Sequence, residues 1–422
     1  MKYLPYSGIA RLNGSKSIIQ RYLLIASVQP MQITLAPGSV CEDVLELAAA
    51  LESLRIKVSV TEKEIGIDSE NCNLSAGSEV RFKASATALR FWLARSVICT
   101  DLTSILISEQ LHKRPLQPFL DALSDMGCLV QQDTSDVPDY PYKITITPPA
   151  IIPSELVLEA DISSQFISGL MMIAPLVEQG LVMRFKQDAV SYYYLELTRY
   201  VMDSLGVNTF VEPRRIVIAG KAKYLIKNCQ IQIEPELSGG AFYLALAAFS
   251  RDGIGIKTTP YPRQQPDWEI WSIVKEMGAK LMSNDTLVML KAGELHGIEL
   301  DMKHYPDLVP LVAVLALFAD SPSKHYNISR IKYKESDRLH GILKAFNQIG
   351  ADYEFDGTNL VIYPLQNEIK EVMLDTQGDH RLVIAFTLLQ LHYPQINLSE
   401  TESVAKSFPD FYNILKTLKI AD

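Results

Sequence analysis

Metal-site and disulfide signals are missing from this 422-residue chain. Its five cysteines, Cys41, Cys72, Cys99, Cys128 and Cys229, form no CxxC pair and stand in no His-flanked cluster. An odd, dispersed set fits a reducing compartment, and fits neither a secreted scaffold nor a zinc site. Long apolar runs are missing too. The longest, Leu308 to Ala319, is too short for a bilayer and contains Pro310. The start, Met1-Lys2-Tyr3-Leu4-Pro5, has neither the apolar core of a signal peptide nor Arg/Ser-rich transit character. Nor is there a basic stripe, and a net charge of −9 argues against a nucleic-acid binder. These absences predict a soluble cytoplasmic protein with no membrane or nucleic-acid partner, in which any anionic ligand is caught by a local basic cluster.

What is present is ordinary globular composition, 48% hydrophobic and 21% charged, at a length that predicts two or more domains. A core of that size needs no metal or disulfide to hold it. Self-similarity organises the chain: an apolar helix opened by small polar residues occurs six times, roughly 70 residues apart. The openings are Gly14-Ser15-Lys16-Ser17, Ser85-Ala86-Thr87, Ser163-Ser164-Gln165, Ser238-Gly239-Gly240, Pro306-Asp307 and Gly378-Asp379-His380-Arg381. Ser, Thr and Asp cap helices well, and a helix apolar all round, as from Gln165 to Ala174, is buried.

A second, amphipathic helix lies between these, closed by Gly at Gly127, Gly206, Gly278 and Gly350. A strand–turn–strand signal follows, clearest over Ala351 to Tyr363 around Asp356-Gly357. The unit therefore mixes strand, buried helix, surface helix and hairpin in α/β order. The sixth unit reaches Asp422 without a hairpin, and Lys2 to Leu12 is expected to complete its sheet. Three units per domain then give one domain over 14–230 and a discontinuous one over 1–13 plus 231–422, with the active site in the cleft between them.

Taken singly, each opening reads as a plain N-cap. Helix N-termini also attract anions through free N–H groups and partial positive charge. Lys16, Arg90, Arg114 and Arg381 stand at or beside such turns, a pattern suited to phosphate and carboxylate.

Seven segments in order resemble the EPSP synthase family over essentially the whole chain. They are Gly14-Ser15-Lys16-Ser17-Ile18-Ile19-Gln20-Arg21, Lys113-Arg114-Pro115, Ser163-Ser164-Gln165-Phe166, Pro306-Asp307, Lys334-Glu335-Ser336-Asp337-Arg338-Leu339, Asp379-His380-Arg381 and Lys406-Ser407-Phe408-Pro409. The resemblance implies an α/β (α+β) fold, a two-domain inside-out barrel of six βαβαββ repeats, three per domain, of the EPT/RTPC-like class. It also implies a monomer with no cofactor and no metal, which transfers the enolpyruvyl group of phosphoenolpyruvate to the 5-hydroxyl of shikimate 3-phosphate.

By the same resemblance, Lys16, Ala86, Arg114, Gln165, Arg338, Arg381 and Lys406 bind phosphoenolpyruvate. Shikimate 3-phosphate falls to Lys16, Ser17, Arg21, Ser163, Ser164, Gln165, Ser191, Tyr194, Asp307 and Lys334. The reaction needs a base for the hydroxyl and an acid for the methylene carbon. Asp307 matches the family's base and Glu335 its proton donor, with Lys16 beside the transferred charge. Read alone, Asp307 would be an N-cap and Glu335 a helical salt bridge.

Several positions depart from the pattern. Lys83 to Arg90 reads KASATALR where the family has a form like GNAGTAMR, so Ala86 stands at the usual Gly. Its methyl is expected to narrow the phosphoenolpyruvate pocket and lower sensitivity to glyphosate. Tyr192-Tyr193 follow Ser191 in place of Lys-Pro, Arg330 stands where some members have Asn, Lys332 replaces an Arg, and Glu236 replaces an Asp. Two alternatives are an inactive homologue that binds shikimate-like anions, and the sister enzyme acting on UDP-N-acetylglucosamine. The loop from His112 to Pro115 lacks the cysteine that the sister enzyme uses.

Overall fold

The computed structural model describes residues 3–70, 76–159, 163–189, 191–225, 229–258 and 264–420; Lys2, Cys72 and Asp422 lie outside them. Contacts divide the chain into two units, Asn13–Ile233 and Met1–Leu12 with Glu234–Asp422. Each unit has its own apolar core.

The Asn13–Ile233 unit holds three four-stranded sheets. In spatial order the first is Cys229–Gln232, Gln32–Ala36, Ile65–Asp68 and Lys57–Val60. The second runs Glu79–Phe82, Thr103–Ile107, Tyr140–Thr147 and Leu129–Val137. The third runs Glu155–Leu158, Leu181–Phe185, Arg215–Ile218 and Thr209–Glu212. In every one the first pair is parallel and the rest antiparallel, the pairing that a βαβαββ unit produces. Alternation sets the faces: Ile33, Leu35, Ile65 and Ile67 are buried, while Gln32 and Ser59 face outward.

The other unit repeats the pattern in Gly8–Ala10, Ile254–Lys257, Leu287–Lys291 and Lys280–Asn284, then in Glu299–Asp301, Ser323–Tyr326, Leu360–Ile362 and Tyr353–Phe355. Its third sheet is the parallel pair Val372–Leu374 and Ile396–Leu398. Contrary to the expectation from sequence, the N-terminal strand does not complete that pair. Gly8–Ala10 instead runs parallel to Ile254–Lys257 in the fourth repeat, and Cys229–Gln232 runs beside Gln32–Ala36 in the first. The strands ahead of the first and the fourth opening helix thus pair within the unit that their own helix does not belong to, and the chain crosses directly after them, at 12/13 and 233/234.

All six apolar helices are present: Lys16–Ala26, Ala86–Arg95, Ser164–Ile173, Leu237–Ala247, Val309–Ala316 and His380–His392. Every residue of Leu237–Ala247 and of Val309–Ala316 is buried. At about 1.5–3 kcal/mol for each large apolar side chain, such burial carries the fold. Ser85, Ser163 and Asp379 cap as their sequence predicts, accepting from the amides of Ala88, Gln165 and Arg381. Three openings differ, the first because Ser15 stands at the N-cap without a side-chain cap hydrogen bond. The fourth helix is capped by Glu236, two residues earlier than Ser238-Gly239-Gly240 suggests, and the fifth begins after Leu308, leaving Asp307 outside the cap. The four described cysteines are free, and among the described residues no helix is long and apolar enough to cross a membrane.

Candidate active site

In the Asn13–Ile233 unit, the first turn of Lys16–Ala26 presents Lys16, whose Nζ lies 2.6 Å from Asp43 Oδ2. Five residues on, Arg21 is buried and ties three segments together. It donates to the Ser17 carbonyl (2.6 Å), Thr198 Oγ1 (2.9 Å), the Tyr194 carbonyl (3.1 Å) and Ser168 Oγ (3.4 Å). Burial lowers its pKa to about 10, partly offset by Tyr194. Arg21 thereby locates Ser17 and Tyr194, two of the residues assigned with it to shikimate 3-phosphate.

Gln165, at the start of Ser164–Ile173, is fixed at both ends of its amide. Arg90 Nη1 donates to its Oε1, and its Nε2 donates to Thr87 Oγ1 at 2.8 Å. This proximity depends on Gly169, where a Cβ would come within 2.7 Å of the Ala94 Cβ, so only glycine lets helices 164–173 and 86–95 approach. The Arg90 guanidinium stacks over Phe166 and donates to the Pro115 carbonyl, next to Arg114. Ala86 is the first residue of its helix and 5% exposed. Ser163 caps the next helix, with Ser164 buried behind it. Ser191 takes a left-handed backbone, φ 52° and ψ 40°, as N-cap of Tyr192–Ser204, uncommon for a residue other than glycine.

The second unit gathers a denser cluster around one cation. Arg338, 1% exposed on its side chain, donates Nη1 to Asp307 Oδ1 at 2.7 Å and Nε to Asp379 Oδ2 at 2.8 Å, while Nη2 donates to Glu335. Lys334 Nζ lies 3.2 Å from the same Asp307 oxygen. Burial pushes the Asp307 carboxyl up, but Lys334, Arg381 and Arg338 outweigh it and hold the group well below the usual carboxylate range. Burial opposes the charge on Arg338 in the same way, and Asp379, Glu335 and Asp307 overcome it, raising its pKa.

Asp379 also caps His380–His392 and accepts from Ser336 Oγ at 3.1 Å. Arg381 donates to both the carbonyl and the hydroxyl of Ser238. Lys406 is half-buried at the end of the Thr401–Lys406 turn. Phe408 anchors that turn against Gly239, where a Cβ would come within 2.5 Å of the Phe408 ring.

Each expected site residue is thus described, and the pairs Lys334–Asp307, Arg338–Asp307 and Arg338–Glu335 are direct. Sequence reading passed over Asp43, Thr87 and Asp379 as site residues. Asp379 carried a signal, since it opens the Asp379-His380-Arg381 segment, whereas Asp43 is one acid in a helix start that favours acids. Among the described residues no three His, Cys, Asp or Glu are grouped to hold a metal ion.

The family model described as EPSP synthase (3-phosphoshikimate 1-carboxyvinyltransferase) matches residues 3–415. A 3-phosphoshikimate 1-carboxyvinyltransferase of Photobacterium profundum is 27% identical over 424 aligned residues, covering 98% of this chain and 96% of the relative. That of Yersinia pestis is 29% identical over 415, covering 96% and 95%. Among solved structures, an EPSP synthase of Acinetobacter baumannii superposes with a TM-score of 0.78 at 18% identity, covering 99% and 98% of the two chains. The enolpyruvyl transferase NikO of Streptomyces tendae gives 0.74 at 14% identity, covering 99% and 95%. At such identities the structures speak for the shared fold alone.

Proposed function

The chain belongs to the EPSP synthase (3-phosphoshikimate 1-carboxyvinyltransferase) family and is a transferase, and on that premise we propose how its residues carry the reaction. The enolpyruvyl group of phosphoenolpyruvate passes to the 5-hydroxyl of shikimate 3-phosphate. The hydroxyl oxygen bonds to C2 of phosphoenolpyruvate while its proton goes to Asp307 and the methylene carbon takes a proton from Glu335. The tetrahedral intermediate then returns a proton from the methyl carbon to Glu335, the C2–O bond to phosphate breaks, and phosphate leaves with the proton that Asp307 had taken from the hydroxyl, as the vinyl group is restored.

The observation that carries this reading is that Asp307 and Glu335 share the single guanidinium of Arg338. One cation thereby holds two carboxylates with different further partners, and unequal surroundings are what separate an acid from a base. Asp307 is ionised before substrate arrives, because Lys334, Arg381 and Arg338 hold its proton affinity down. When substrate anions draw on those cations, their hold on Asp307 weakens, and its carboxylate becomes basic enough to take the hydroxyl proton.

Phosphoenolpyruvate is assigned to Lys16, Ala86, Arg114, Gln165, Arg338, Arg381 and Lys406. Shikimate 3-phosphate is assigned to Lys16, Ser17, Arg21, Ser163, Ser164, Gln165, Ser191, Tyr194, Asp307 and Lys334. Arg21 acts here mainly by locating Ser17 and Tyr194, since its donors already meet protein acceptors. The reading is of a cytoplasmic monomer, and the free described cysteines suit a reducing compartment.

Phosphate release from shikimate 3-phosphate plus phosphoenolpyruvate tests it, with UDP-N-acetylglucosamine as control acceptor and Asp307→Asn alongside. Turnover with shikimate 3-phosphate alone is expected, reduced about 10²–10⁴-fold in Asp307→Asn. A folded protein silent with both acceptors, or an Asp307→Asn variant as fast as the parent, overturns the reading.

A further inference from the structure

The segment that opens the Ala86–Arg95 helix is held from below by a neighbouring helix. Glu46, on Glu42–Glu52, takes three successive amides: its Oε1 accepts from Ala84 N–H at 2.7 Å and Lys83 N–H at 3.2 Å, and its Oε2 from Ser85 N–H at 2.9 Å. Three amides converging on one carboxylate form an anion nest, filled here by the protein's own side chain. Gln20 adds a second tether, donating Nε2 to Ser85 Oγ at 3.2 Å and to the Asp43 carbonyl at 2.7 Å. Ser85 is fully buried and caps the helix through Ala88 N–H. The next N–H groups, of Ala86 and Thr87, are the first two of the helix, and no helical carbonyl can accept from them.

Asp43 and Glu46 stand three apart on Glu42–Glu52 and so share a face. One holds Lys16 and the other the 83–85 segment. A single helix face therefore locates two elements assigned above to phosphoenolpyruvate. Nothing in the catalytic assignment uses Glu46, and as a helical acid it reads from sequence as a solvated charge.

We propose that Glu46 is a positioning residue for phosphoenolpyruvate: by engaging the amides of Lys83, Ala84 and Ser85 it fixes the start of the Ala86–Arg95 helix and leaves the Ala86 and Thr87 amides open to the substrate anion. The proposal rests on the assignment of Ala86 to phosphoenolpyruvate. Removing the carboxylate frees three donors and lets the segment move, and small displacements of positioning groups cost substrate affinity heavily. It also explains how KASATALR keeps a defined turn without the glycine of the family form, because the side chain of Glu46 imposes the geometry from outside.

Steady-state kinetics of Glu46→Ala, Glu46→Gln and Glu46→Asp test this. In Glu46→Ala, KM for phosphoenolpyruvate is expected to rise about tenfold or more, with kcat and KM for shikimate 3-phosphate within about threefold. Glu46→Gln, which turns an NH2 toward amide donors, shifts KM the same way, and Glu46→Asp recovers part of the loss. A KM for phosphoenolpyruvate within about twofold of the parent in both Glu46→Ala and Glu46→Gln overturns the proposal. So does a uniform loss in both KM values and kcat that tracks a lower melting temperature, the mark of a merely structural role. If Glu46→Ala does not fold, Glu46→Gln is judged by the same limits. A parent enzyme silent with shikimate 3-phosphate and phosphoenolpyruvate removes the underlying reading, and this one with it.

Discussion

Arg338 and Asp307 are bound to each other, Nη1 to Oδ1 at 2.7 Å. The group assigned to clamp the substrate anion and the group assigned as base neutralise one another until substrate intervenes. Each keeps the other charged in a buried place, where either alone would be costly.

The same guanidinium leans on Asp379, which is 1% exposed. Asp379→Asn preserves the helix cap, since Asn caps as well as Asp, and removes only the buried charge. Urea unfolding is expected to report a loss of about 3 kcal/mol from the broken ion pair. A loss below about 1 kcal/mol would mean that Glu335 and Asp307 suffice to hold Arg338.

Ser191 gives two opposed readouts. Its φ of 52° is strained for serine, so Ser191→Gly is expected to stabilise the fold by up to about 1 kcal/mol. Ser191→Ala keeps the strain and loses only the hydroxyl. Both are expected to raise KM for shikimate 3-phosphate several-fold, while only the glycine variant melts higher. Unchanged KM in both removes Ser191 from the substrate site.

At Ala86 the prediction concerns one methyl group. Ala86→Gly is expected to tighten glyphosate inhibition about tenfold or more, since a single methylene in a close-fitting pocket is worth about 10–200-fold. An inhibition constant that does not move shows that the methyl faces away from the ligand.

His325 predicts an acid limit to stability. It is fully buried, neither ring nitrogen has a hydrogen-bond partner among the described residues, and burial lowers its pKa from 6.5 to about 4. The folded form resists a proton that the unfolded chain accepts near pH 6.5. Its neutral state is therefore fully accommodated above that pH, and stability falls as pH drops from 6.5 to about 4. The loss approaches roughly 3 kcal/mol. In His325→Leu, denaturation midpoints should lose about one proton's worth of slope across that window. An identical slope would acquit His325.

Much of this was legible because its causes are local. Ser85, Ser163 and Asp379 cap helices through amides two or three residues away, and Gly350 ends a helix through its own positive φ of 69°. Asp307 was the misleading case. Pro-Asp before an apolar run spells a cap, yet its partners Lys334 and Arg338 come from a turn and helix far along the chain, and no window around residue 307 contains them. Glu46 was silent for the same reason, since its three amides lie 37 to 39 residues away. Residues 1–13 were assigned to the discontinuous domain, but the sheet they join was not legible: Gly8–Ala10 and Cys229–Gln232 are too short to carry a pattern that names a partner.

The long-range pairing of these two strands sets the order in which the protein can be completed during synthesis. Gln32–Ala36 emerges early but receives its parallel neighbour only once Cys229–Gln232 has been made, and Gly8–Ala10 waits for Ile254–Lys257. Such distant pairing means high contact order and slow closure. The first sheet therefore leaves the ribosome with an open edge for about 200 residues of translation, at roughly 5–20 residues per second. During that interval the unpaired side of Gln32–Ala36 is a template on which a wrong strand can pair.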